Sequence, residues 1–162
     1  MPVGNEAVKR FMMPFWARIK DRENAPSDPS FARHLRDLAR GDQITYVRLM
    51  REFDGDPVGI ECRHRERAAW AFVLPNVSSE EAWRTQYFDA DGFSRHACFK
   101  TALEAVQAMV TEGYATADKG ALDRLSITDR WNTGIRRSAI HQKACSGDIS
   151  WEDAFRQMAT VT

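Results

Sequence analysis

The sequence predicts an α+β fold: an antiparallel sheet of four or five strands with one helix packed on it, a helical N-terminal arm and a helical C-terminus. Three observations point there. Apolar residues recur at three- and four-residue steps near the N-terminus, alternate in the middle, and return to helical spacing over the last 45 residues. Turn residues fall between the alternating runs, as Asp54-Gly55-Asp56-Pro57 and Asp89-Ala90-Asp91-Gly92. Thr101 with Glu104 three places on writes a capping box directly after the second of these hairpins.

The chain has 162 residues, and domains run to about 150, so 1–162 is expected to form one domain. Within it 1–29 is read as a helical arm and loop, 30–114 as helix, sheet and capped helix, and 115–162 as C-terminal helices. Twenty-three basic side chains face 23 acidic ones, which leaves no net charge. That balance excludes a bulk electrostatic grip on DNA or on a membrane. No stretch approaches the roughly 20 apolar residues of a membrane span. The apolar run Phe11–Trp16 is broken by Pro14, which excludes a signal-peptide core. Three cysteines leave at least one thiol unpaired, and a reducing cytoplasm is the expected compartment. Eighteen of the basic residues are arginine, a bias that a GC-rich coding sequence explains as well as phosphate recognition does.

In chain order, Val8, Phe11, Met12, Phe15, Trp16 and Ile19 draw one apolar stripe on a helix over 5–21. Asn24–Ser30 is then a loop with two prolines. Ser30 is the expected N-cap of a helix that Gly41 ends, with Phe31, Leu35 and Leu38 on one face. Ile44–Phe53 is rich in β-branched and aromatic residues and reads as a strand. Its Tyr46, Leu49, Met50 and Phe53 also step by three and four, so a helix stays open there. Val58–His64 and Ala68–Leu74 are strands joined by Arg65-Glu66-Arg67. Trp83–Phe88 and Phe93–Phe99 form the second hairpin, and the helix capped by Thr101 carries Leu103, Val106, Met109 and Val110 up to Gly113. Ser126 or Thr128 caps a helix bearing Trp131, Ile135, Ala139 and Ile140, with Gly134 inside it at a cost of about 1 kcal/mol relative to alanine. Ser150 with Asp153 opens a last helix after Gly147, in which Trp151, Phe155 and Met158 face inward. The expected core is Trp70, Phe72, Val73, Trp83, Phe88, Phe99, Leu103, Val106, Trp131, Ile135 and Phe155.

Few residues spell out chemistry. Cys62-x-His64 and His96-x-Cys98 each put a thiol and an imidazole on one face of a strand, a zinc-like set if the two strands are neighbours. Their spacing is not that of structural zinc motifs, and ordinary sheet residues account for them as well. No nucleophile elbow, phosphate-cradling glycine loop, H-E-x-x-H or deaminase motif is present, so no cofactor and no catalytic residue is expected. Asp89, Asp91 and Glu104 are the carboxylates nearest to a pairing, and turn and cap roles explain all three. Arg63, Arg65 and Arg67 crowd a hairpin tip. Arg84, Gln86 and Arg95 lie on the second hairpin among Trp83, Tyr87 and Phe93. Arginines interleaved with aromatics on a sheet can hold phosphate and stack bases. Solvated surface charge accounts for them too.

The run Trp83-Arg-Thr-Gln-Tyr87, Gly92-Phe93 and Phe99-Lys-Thr-Ala-Leu-Glu-Ala105 loosely resembles the sheet-and-helix module of AP2-type DNA-binding domains, and small antitoxin-like domains too. The resemblance implies that Arg84, Thr85, Gln86 and Arg95 face a DNA groove. It covers residues 83–105 only, and Cys98 stands where that family carries glycine before the phenylalanine.

Two main functional expectations follow. One is a small non-enzymatic nucleic-acid-associated or regulatory protein, contacting DNA or RNA through Arg63, Arg65, Arg67, Arg84, Gln86 and Arg95. The other is a protein-interaction module, an inhibitor, adaptor or homo-oligomer, that presents Phe11, Met12, Phe15 and Trp16 of the N-terminal stripe. A metal protein or enzyme built on Cys62, His64, His96 and Cys98 stands behind both.

Overall fold

A computed structural model describes residues 28–77, 80 and 82–161. The expected arm over 5–21 and its stripe Phe11, Met12, Phe15 and Trp16 lie outside the described residues.

The first described helix, α1 (Pro29–Glu52), starts where the Asp28 carboxylate accepts the Ser30 N–H at 2.8 Å, with Pro29 in the first turn. The cap is therefore Asp28 rather than Ser30. The helix does not stop at Gly41 but runs on through the segment expected as a strand. A mid-helix glycine costs about 1 kcal/mol. Burying a side chain such as Leu49 or Met50 gains roughly 1.5–3 kcal/mol each, and both are buried here together with Tyr46. The helical step of these residues outweighs both the β-propensity of the segment and the glycine.

Five strands follow: β1 (Glu61–His64), β2 (Ala69–Pro75), β3 (Trp83–Asp89), β4 (Gly92–Phe99) and β5 (Tyr114–Ala117). They form one antiparallel sheet in the order β4-β3-β2-β1-β5. The fifth strand is thus not 44–53 but the four-residue β5, too short to show an alternating signal. It reaches β1 because α2 (Ala102–Thr111) crosses the sheet from the β4 edge and ends at Gly113, whose φ of 96° suits glycine. The capping box that starts α2 is formed: Thr101 Oγ1 accepts the Glu104 N–H at 3.1 Å, and Glu104 accepts the Thr101 N–H at 3.3 Å.

Strand alternation divides the apolar residues between two faces. Cys62, Ala71, Val73 and Tyr87 pack with Leu49 and Met50 of α1 and Val106, Met109 and Val110 of α2. Trp70, Phe72 and Phe88 lie on the opposite face, under α3 (Ala121–Ser126) and the start of α4 (Asp129–Ser146), where they meet Ala121, Leu122, Leu125 and Trp131. The Trp131 ring stands edge-on to Phe88 and Phe93 at 6.0 and 5.1 Å. Thr128 caps α4, Gly147 ends it at φ 81°, and Ser150 caps α5 (Trp151–Thr160).

Of the expected core, Val73, Phe88, Val106 and Trp131 are buried, and Trp70, Phe72, Trp83, Phe99 and Leu103 are partly so. Ile135 and Phe155 are not core: they are 36% and 63% exposed. The α4–α5 pair packs on itself and buries little beyond Trp131, Ala144 and Ala154, so the far half of this hairpin has no sheet to bury its apolar side chains against. Among the described residues no helix is long and apolar enough to cross a membrane.

Candidate functional site

The four residues of the zinc-like set are not brought together. Cys62 and His64 are on β1, His96 and Cys98 on β4, with β2 and β3 between them. At about 4.8 Å per strand the two pairs stand roughly 14 Å apart. They also differ in surroundings. Cys62 is buried in the core beneath α1 and α2, where burial pushes its thiol up to about 12, so at neutral pH it is a small apolar filler rather than a ligand. His64 Nδ1 accepts the Glu66 N–H at 3.1 Å while its ring stands edge-on to Tyr114. His96 is exposed, and Cys98 accepts from the Asn76 side-chain amide at 3.5 Å. Among the described residues no group of three or more His, Cys, Asp and Glu side chains is placed to hold a metal.

The carboxylates named above are likewise occupied. Asp89 accepts the Asp91 N–H across the β3–β4 turn at 2.8 Å. Both Asp91 oxygens accept from the Arg130 guanidinium at 2.7 Å, and this bond holds the Asp91 carboxyl below its usual range. Glu104 completes the capping box.

The arginines do not form one patch. Arg84 pairs in register with Cys98 and Gln86 with His96, on the sheet face opposite α2. Arg84 and Gln86 are half-buried there, and Arg84 Nε is buried with no hydrogen-bond partner. Arg95 is on the α2 face. Its guanidinium lies 3.7 Å above the Tyr87 ring and is paired with Glu112 at the end of α2. Thr85 is fully buried on that same face and donates its hydroxyl to the Ala105 carbonyl at 3.1 Å. Of the four positions that the AP2-type resemblance implies as groove-facing, two are therefore on the α2 face, Thr85 beneath the helix and Arg95 exposed at its end. The difference is a matter of parity, since neighbours on a strand point to opposite faces.

Arg63, Arg65 and Arg67 separate in the same way. Arg63 is exposed on β1, opposite Thr116 of β5. Arg65 turns to Thr45 of α1 at 3.4 Å, and Arg67 donates to the Tyr114 hydroxyl at 3.2 Å. At the sheet end the result is a closed aromatic–cation network. Tyr87 and Tyr114 are 5.2 Å apart, Arg95 and Arg67 sit against them, and Tyr87 donates to Glu112 at 3.1 Å. Burial, followed by the Glu112 charge, pushes the Tyr87 hydroxyl well above its usual range. Its polar groups are satisfied internally, so it locks the end of α2 to the sheet.

Among the described residues, apolar side chains stay exposed on α1, where Phe31 and Leu38 of the expected apolar face are not covered, and on the C-terminal hairpin. Trp151, Ala154, Phe155 and Met158 fall at helical spacing on α5, yet only Ala154 is buried, and Trp151 and Phe155 are 46% and 63% exposed. The Trp151 ring touches Phe155 at 6.0 Å and His141 of α4 at 5.3 Å. One turn further along α4, exposed Cys145 brings its Sγ to 3.6 Å from His141 Nδ1. Cys145, His141, Trp151 and Phe155 thus make one continuous exposed strip across two helices. On the sequence alone Trp151 and Phe155 look like core, and His141 and Cys145 carry no special mark. Their spacing of four was the one available signal. Compared with family models, with curated proteins and with solved structures, the chain finds no match.

Proposed function

We propose that this protein is a protein-interaction module whose α/β body displays the α4–α5 hairpin as its contact surface, with a second copy of the chain as the partner. The observation that carries this reading is α5: an amphipathic helix whose two largest apolar side chains stay in water. Paired aromatics left exposed in this way mark contact sites. An isologous contact sets the same patch of both copies face to face, so the apolar strip of one copy covers that of the other, while Glu152 and Asp153 beside it are paired with Arg156 of the same helix. Assembly in a reducing compartment suits three free thiols.

Light scattering across a concentration series tests it. The wild type is expected as a dimer, and Trp151→Ser with Phe155→Ser as a monomer whose melting temperature is unchanged. A wild type that stays monomeric over the whole series, both as purified and with added divalent metal, removes the reading.

A second reading, contact with DNA or RNA through the sheet face, draws on Arg84, which shares its face of β3 with Gln86 and lies opposite Cys98 of β4. It expects weak, salt-sensitive binding that Arg84→Glu abolishes. Binding that survives this substitution unchanged would sink it.

A further inference from the structure

His141 and Cys145 are one helical turn apart on α4, a spacing that places two metal ligands on one face. Their Sγ···Nδ1 separation of 3.6 Å is the distance that a tetrahedral zinc ion sets between a thiolate and an imidazole, about 3.6 Å for bonds of roughly 2.3 and 2.05 Å. Without metal the same contact is a hydrogen bond between thiol and imidazole, which an ion would replace. Zinc replaces the thiol proton, which goes to solvent, and no oxidation state changes. Two ligands are half a site, since structural zinc is closed by four. Among the described residues, no third His, Cys, Asp or Glu joins this pair.

The pair opens onto the aromatic strip: the His141 ring contacts Trp151, and Trp151 contacts Phe155. We propose that two copies of the chain share one zinc ion, each giving His141 and Cys145, with Trp151 and Phe155 buried beside the metal. The inference rests on the reading of the hairpin as a contact surface. A two-fold axis through the ion turns a two-ligand half-site into a four-ligand site in a single step. Two thiolates also neutralise the charge of Zn2+ within an interface that excludes water.

The test uses the full chain in reductant, stripped with a chelator and titrated with zinc alone, with mass followed by light scattering. The expected result is one ion per two chains, bound as monomer becomes dimer. Cobalt(II) in place of zinc should give the visible bands of a tetrahedral site with sulfur ligands. His141→Ala and Cys145→Ser, both at exposed positions, should each lose the metal and the metal-driven dimer while the circular dichroism spectrum stays that of the wild type. A dimer that survives both the chelator and Cys145→Ser, yet falls apart in Trp151→Ser/Phe155→Ser, overturns the zinc site and leaves the contact surface standing. One ion per chain in a monomer overturns it too. A chain that takes up no zinc and never dimerises overturns both proposals.

Discussion

At the scale of single residues, two glycines inside helices show how far context reverses intrinsic propensity. Gly41 in α1 has open space where a Cβ would stand, so Gly41→Ala is expected to stabilise the protein by about 1 kcal/mol. Gly134 in α4 has the same propensity and the opposite surroundings. A Cβ there would run into the backbone carbonyl of Asp91, at the tip of the β3–β4 turn that Arg130 clamps to the helix. Gly134→Ala is expected to destabilise by about 1–3 kcal/mol, as overpacking does. Thermal unfolding of the two variants decides it: a Gly134→Ala protein that melts above the wild type would mean that the turn does not dock as described. Both glycines are visible in the sequence. The sign of the second is not, because Asp91 approaches it from 43 residues away in the chain.

At the scale of elements, the joints are made by side chains that bridge strand and helix. Glu61 on β1 accepts the N–H groups of Gly120 and Leu122 at 2.7 and 2.6 Å and so ties the start of α3 to the sheet. Asp118, just after β5, accepts the Trp70 Nε1–H at 2.8 Å and the Arg124 guanidinium at 2.6 Å. Burial opposes ionisation of Asp118, but these two donors outweigh it and hold the carboxyl below its usual range. A folded-state pKa below the unfolded value of about 3.9 means stability that is present above that pH and lost as pH falls through the folded value. Asp118→Asn should therefore cost about 1–2 kcal/mol at pH 7, with the difference from wild type closing in acid. A gap of the same size at pH 2 and pH 7, measured by denaturant titration, would show that the charge does not matter. The capped elements were legible in advance, since Thr101, Thr128 and Ser150 write their own helix starts within four residues. The joints were not, because Glu61 and Asp118 read as ordinary charges until α3 is folded back onto the sheet.

At the scale of the whole molecule, the decisive fact is how a neutral chain distributes its charges. Arg84 and Gln86 fall on one face of the sheet and Arg95 on the other, while Arg65 turns to α1, Arg67 turns to Tyr114 and Arg63 stays exposed on β1. A nucleic-acid grip by the sheet then depends on Arg84, with few phosphates neutralised. The salt dependence expected of it is correspondingly shallow, roughly one unit of log-log slope per phosphate contact. A steep slope in a titration between about 50 and 200 mM salt would point to a surface other than this face of the sheet. Assembly through the hairpin asks nothing of these arginines. In the proposed dimer, Trp151 and Phe155 would leave water together against a second copy.

The fold class, the second hairpin and the helices capped by Thr101, Thr128 and Ser150 were legible in the sequence. Those depend on residues within a few positions of each other, where periodicity, turn chemistry and capping act directly. Tertiary structure alone decided that 44–53 extends α1, that β5 closes the sheet beside β1, and that the two cysteine–histidine pairs never meet. It also decided that the last helix presents its aromatics to solvent. An apolar stripe states that a helix has a face to cover; only the packing shows whether anything within the chain covers it. Among the described residues α1 and α2 cover one face of the sheet, α3 and the start of α4 cover part of the other, and nothing covers the stripe of α5.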